Sequence, residues 1–159
     1  MNTSISWKQK KFNINLVEFL LSTPEFNMLS YDELEMLDKI MLVDNYPHGH
    51  KFKSVDNVYL IIDGEVAVSD KKNGGIPQLK RMHPGELFGV FSLIDNSKRT
   101  ATCTAVGSVR AASIPRTAFE LLFKSNLPLA NHFQRIAAAQ VVHDMHVFAC
   151  ATRHNNCNL

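Results

Sequence analysis

The chain has 159 residues, 45% of them hydrophobic and 20% charged, with 17 basic and 15 acidic side chains and a formal net charge of +2. This length and composition suit one folded domain with its own core and exclude a disordered chain or a miniature scaffold that needs metals or crosslinks. The balanced charge excludes a concentrated nucleic-acid footprint, since no basic block exceeds Lys8 to Lys11, itself broken by Gln9.

Residues 1–12 are polar and basic around Trp7 and read as a loose arm or a short packed extension. The apolar stretch that follows is interrupted by Asn13, Asn15 and Glu18, so a signal peptide is not expected. No run approaches the 18 or so apolar residues of a membrane span, and no membrane association is expected either. Asn15 with Glu18 has the capping-box spacing ahead of Leu16, Val17, Phe19, Leu20 and Leu21, which predicts a short helix ending near Pro24. A second box, Ser30 with Glu33, opens a stronger helix carrying Leu34, Leu37, Ile40 and Met41.

Val43 to Phe52 reads as a strand and a turn broken by Pro47 and Gly49. His48 and His50 are two apart and would share one side of a strand, but no third ligand accompanies them, and they read as turn residues. Val58 to Ile62 and Glu65 to Ser69 are predicted strands separated by a turn at Asp63-Gly64. Lys71 to Gly75 is a hairpin tip, Gln78 to Met82 the next strand, and His83-Pro84-Gly85 a turn into the richest stretch of the chain.

That stretch, Gly85 to Thr102, reads GELFGVFSLIDNSKRTAT. A tight turn from Gly85 to Gly89 gathers backbone N–H groups, and a helical turn from Val90 to Ile94 would aim its positive end at them. Arg99 could close the far side of an anion with a bidentate contact; the plainer alternative is a loop between strands with Arg99 in solvent or paired to Asp95. Beyond it, Thr100 to Val106 and Val109 to Ile114 are predicted strands flanking Gly107-Ser108. Alternation puts Thr100, Thr102 and Thr104 on one face and Ala101, Cys103 and Ala105 on the other, and for Thr102 a pocket role and a surface role stand equal.

Pro115 suits the first turn of a short helix with Phe119, Leu122 and Phe123, and Pro128 opens a final helix expected from about Leu129 to Ala151. Its stripe of Phe133, Ala137, Val141, Met145 and Phe148 must be covered either by its own domain or by the same helix of a second subunit. His143 and His146 lie three apart there, and a zinc site would need at least one further ligand. Cys103, Cys150 and Cys157 have neither zinc-finger nor secreted-framework spacing, so cytoplasmic residence is expected.

The run from Gly85 to Thr102, with Tyr59 to Val66 before it and the strands after it, resembles the cyclic nucleotide-binding domain family of kinase regulatory subunits, gated channels and bacterial catabolite activators. Residues 26–150 carry the resemblance, between an arm with a short helix at 1–25 and a flexible tail at 151–159. It implies a mainly β fold, an antiparallel double-sheet jelly-roll barrel with flanking N-terminal helices and a long C-terminal helix. It also implies that Gly64 lies beneath the ligand pocket, that Phe88 and Gly89 open a phosphate-binding cassette, and that Arg99 holds the phosphate with Thr100 beside it. Thr102 completes the expected ligand-binding set of Phe88, Gly89, Val90, Arg99, Thr100 and Thr102.

The family's ribose-binding Glu is replaced by Val90, which can accept no hydrogen bond. An unpartnered ribose hydroxyl would cost about 1–3 kcal/mol, roughly one to two decades of affinity. The resemblance therefore implies a non-enzymatic sensor for cAMP, cGMP or a related phosphorylated ligand. The alternative is a degenerate domain serving as a dimerisation or interaction module. In either case a homodimer through the C-terminal helix and a separate effector protein are the expected partners, with no nucleic acid, no metal and no resident cofactor.

Overall fold

In the computed structural model, residues 15–53, 56–70, 80–90 and 101–156 are described. Helix α1 (Leu16–Ser22) starts at Asn15, whose side-chain oxygen accepts from the Val17 amide at 3.1 Å. Helix α2 (Tyr31–Ile40) has the full reciprocal box: Ser30 Oγ accepts from the Glu33 amide at 3.3 Å while Glu33 Oε2 accepts from the Ser30 amide at 2.8 Å. Then come strands β1 (Leu42–Tyr46), β2 (Asn57–Asp70), β3 (Lys80–Met82), β4 (Leu87–Phe88) and β5 (Ala101–Pro115), and helices α3 (Arg116–Phe123) and α4 (Pro128–Asn156). Among the described residues no helix is long and apolar enough to cross a membrane.

Asp63-Gly64, expected as a turn, is not one, and Gly107-Ser108 does not separate two strands. Asp63-Gly64 and Gly107-Ser108 lie inside two long strands, β2 and β5, which pair antiparallel from Asn57 with Pro115 to Asp70 with Ala101. The register slips between Ile61 and Asp63 and again between Asp63 and Glu65, and both Gly64 and Gly107 have left-handed backbones, φ +91° and +73°. A glycine at positive φ serves a bulge as well as a turn. Four expected strands thus fuse into two.

The expected closed double-sheet jelly-roll barrel is corrected accordingly. The described strands form a single open five-stranded antiparallel sheet in the order β1-β5-β2-β3, with β4 also on β2, packed with four helices in a mixed α/β arrangement. With fewer, longer strands, β1 and β3 remain as edges of this sheet and no pairing among the described residues joins them.

The bulge also sets which side chains are inside. Before it, Val58, Leu60 and Ile62 face the helices, in one core with Leu20, Phe26, Leu34, Leu37, Phe119, Phe133 and Ala137. Tyr59 and Ile61 face the other way, into a second core. Because the slip shifts the alternation by one, Val66 and Val68 continue the face of Tyr59 and Ile61, with Met82, Cys103, Ala105, Val109 and Ala111. Phe133 of α4 anchors the helical core edge-on to Phe119 at 5.5 Å and to Phe26 at 6.0 Å.

Gly64 and Gly107 make a matched test of the bend. A Cβ on Gly64 would lie 2.5 Å from the Ser108 carbonyl oxygen, whereas one on Gly107 meets nothing within 4 Å. Gly107→Ala should therefore cost only the left-handed backbone penalty, about 1–2 kcal/mol, and Gly64→Ala clearly more, about 3 kcal/mol or above. Urea unfolding of both variants measures this, and equal losses would mean that the close approach at Ser108 does not hold the bend.

Candidate functional site

The cassette opening is fixed by the shortest strand. Tyr59 pairs with Phe88 and Leu60 with Leu87. One step before, the Gly85 amide donates to the Ile61 carbonyl at 2.8 Å and the Ile61 amide to the Glu86 carbonyl at 3.1 Å. Gly85 and Gly89 bracket this clamp with φ of +90° and +88°, conformations that other residues seldom adopt. A Cβ on Gly85 would sit 3.3 Å from the Thr23 methyl, so a side chain there would crowd the chain leaving α1.

Successive side chains of this segment enter opposite cores. Leu87 and Val90 lie in the helical core and Phe88 in the second. Val90 is only 2% exposed, so the position that lacks the expected carboxylate is a packed apolar site. Glu86 does not stand in for it. One of its oxygens accepts from the His83 amide at 2.6 Å and the other lies 3.3 Å from Lys80 Nζ, with His83 Nδ1 a further 3.5 Å contact. Lys80, directly across from Val68 on the face of Met82, has a side chain only 8% exposed, and its pairing with Glu86 offsets the burial of its charge.

Phe88 belongs to an aromatic cluster that the sequence reading did not assemble. It stacks on Tyr59 at 4.9 Å and 14° and meets Phe52 edge-on at 5.1 Å, while Tyr46 and His50 extend the group through Phe52. The members come from β1, the chain after it, β2 and β4, so only the strand pairing reveals them. Burial pushes both phenols above their ordinary value of 10.0. For Tyr46 the nearby Tyr59 and Asp44 add to this and a hydrogen bond with Ser113 opposes it; for Tyr59, hydrogen bonds with Asn57 and the Lys53 backbone oppose it.

Of the remaining expected site residues the structure describes Thr102. Thr102 is half-exposed, on the face of β5 opposite the buried Cys103, and its carbonyl accepts from Ser69 Oγ at 3.5 Å. Arg99, Thr100 and all of the expected helical turn from Val90 to Ile94 beyond Val90 itself lie outside the described residues. His48 Nδ1 accepts from the Gly107 amide at 2.8 Å, which braces the β5 bulge, and the His50 ring packs on Tyr46 at 4.8 Å.

Comparison with known proteins decides the family. The profile described as "Cyclic nucleotide-binding domain" matches residues 50–126. The chain contains a cyclic nucleotide-binding domain. It is 26% identical over 129 residues to a CRP-like cAMP-activated global transcriptional regulator of Mycobacterium tuberculosis, covering 78% of this chain and 58% of that protein. It is 32% identical over 110 residues to a cAMP-dependent protein kinase regulatory subunit of Eremothecium gossypii, covering 66% of this chain and 23% of that one. In structure it is similar to a putative cyclic nucleotide-binding protein from Geobacter metallireducens, with TM-score 0.68 and 23% identity, over 84% of this chain and 99% of that one.

The chain thus spans 58% and 23% of the lengths of these two curated relatives, and its likeness to them is that of a cyclic nucleotide-binding domain. Within this cyclic nucleotide-binding domain the Phe88-Gly89 opening is built and clamped, and the next residue is turned into the core.

Two measurements test this site. Val90→Glu would put a carboxylate among Leu87, Ala112 and Phe133 and should cost about 3 kcal/mol or more in denaturant unfolding. A fully stable variant that binds cyclic nucleotide more tightly would mean that residue 90 faces ligand instead. Separately, because the folded state holds the two phenolic protons more tightly than the unfolded chain, the resulting stability is complete below about pH 10 and is lost as pH rises through the raised values. The urea midpoint should fall above about pH 10, and Tyr59→Phe should shrink that fall; an unchanged alkaline slope in this variant would rule out a buried phenol at 59.

Proposed function

We propose that the chain is a ligand-sensing domain that takes a cyclic nucleotide or a related small phosphorylated molecule at the 85–102 cassette and signals through α4. The observation carrying this reading is the clamped opening: Gly85 and Gly89, both left-handed, bracket the pairing that holds the Phe88 backbone against the central strand. Arg99, nine residues after Val90, stands at the spacing from which a guanidinium would meet the phosphate, with Thr100 and Thr102 beside it. The ligand-binding unit spans 26–150, between the 1–25 arm and the 151–159 tail, and works in the cytoplasm.

Output leaves through α4. Leu129, Ala130, Phe133, Ala137 and Val141 of this helix are buried by its own domain, whereas Val142 and Met145 are 67% and 57% exposed. The half beyond Val141 pairs with a second copy or engages a separate effector protein. A ligand acts by shifting the helix between two packings, which requires different affinity for the two.

A second reading has its own support in Val90. An apolar side chain in the core at the ribose position favours a domain that keeps the fold and serves as a dimerisation or interaction module. Isothermal calorimetry with cAMP and with cGMP separates the two. The sensing reading expects saturable binding that weakens at least roughly tenfold in Arg99→Ala. Absence of binding up to millimolar nucleotide, with the unmodified chain still self-associating, would establish the module reading.

A further inference from the structure

Helix α4 places three histidines and a cysteine on one face. His132, His143, His146 and Cys150 fall within an arc of roughly 60° at about 100° per residue. His143, His146 and Cys150 are exposed, and none of them packs into either core. The pair four residues apart is already close, with His146 Nε2 3.8 Å from Cys150 Sγ.

That separation is informative. Zinc binds imidazole nitrogen at about 2.0–2.1 Å and thiolate sulfur at about 2.3 Å, so two such ligands at a tetrahedral angle stand about 3.6 Å apart. The observed pair is within a few tenths of an ångström of that bite, on the i, i+4 spacing by which one helix face chelates zinc. Among the described residues no three such groups converge, so the pair supplies two of the four positions that zinc prefers.

We propose that His146 and Cys150 form half of a site for a thiophilic divalent cation of the zinc class, completed by the same two residues of a second copy. Two identical halves give a Cys2His2 set, and an isologous contact brings the same patch of each subunit together. Binding requires the thiolate and so releases one proton per cysteine. The mixed sulfur and nitrogen donors favour zinc over magnesium or calcium. This inference rests on the pairing of the projecting half of α4 and is independent of the nucleotide reading.

The test uses the full chain under reducing conditions, with Co2+ as the spectroscopic probe and Zn2+ as competitor. The expected result is a thiolate-to-cobalt charge-transfer band that saturates at one ion per two chains, is displaced by Zn2+, and accompanies a doubling of mass in sedimentation. The band should vanish in Cys150→Ser and in His146→Ala and persist in Cys157→Ser. Both residues tested are exposed, so thermal unfolding of the variants should match the parent.

No band, a band that survives Cys150→Ser, or saturation at one ion per chain with unchanged mass would each overturn the shared site. Sedimentation with chelator present reads the pairing by itself, so a chain that pairs without responding to metal removes the metal site and leaves the pairing. Nucleotide calorimetry on the same variants keeps failure of the sensing reading apart from both.

Discussion

The architecture depends on the close approach of the Gly64 backbone to the Ser108 carbonyl, where any side chain on residue 64 would collide. That approach allows two strands of 14 and 15 residues to stay paired through a bulge. In β2 the apolar residues change parity across Asp63-Gly64, so one face stays over one core only where the alternation is reset. The slip at Asp63 performs the reset, so that Tyr59 and Ile61 on one side of the bulge and Val66 and Val68 on the other line the same interior. Without it, Val66 and Val68 would turn to the opposite face and bring Glu65 inward.

From that division follows the character of the cassette opening. Because β4 lies on β2 just before the bulge, Leu87 and Phe88 are forced into different cores, and Val90 joins Leu87. Val90 thereby shares a buried cluster with Leu129, Phe133 and Ala137 of α4. Close-packed interiors transmit displacement because they have few voids in which to absorb it. A carboxylate at 90 would have offered a ligand a hydrogen bond; a valine there offers the helices a contact.

What could be read in the residues themselves was what is local. The Ser30-Glu33 box, the prolines at 115 and 128, and the strand character of Val58 to Ser69 each depend on neighbours a few positions away, and each is found where expected. Asp63-Gly64 misled because positive φ is common to a tight turn and a bulge. The distinguishing fact, that Gly107-Ser108 stands at the same level of the partner strand, is a matter of register rather than of spacing. The same error multiplied the strands and suggested closure into a barrel. Val90 was legible as a lost acceptor but not as a core residue, and the rings of Tyr46, Phe52, Tyr59 and Phe88 are brought together only by three strand pairings. Of the cassette itself, Arg99 and Thr100 lie outside the described residues, so their part rests on sequence spacing.

Helix α4 is where the demands of folding end and those of function begin. Its first half is required by the core: Leu129, Phe133, Ala137 and Val141 recur four apart and are all buried. Past Val141 the helix continues to Asn156, a further 15 residues or about 22 Å, with the exposed Val142 and Met145 contributing nothing to the domain's own packing. An unsupported helix of that length is marginal in water, because most helical stability comes from tertiary packing. An apolar side chain left in water gains free energy on finding cover, and a helix so placed gains most from a partner that packs along it. Under the proposed reading, this exposed half of α4 is the surface through which an event at the cassette would be felt outside the domain.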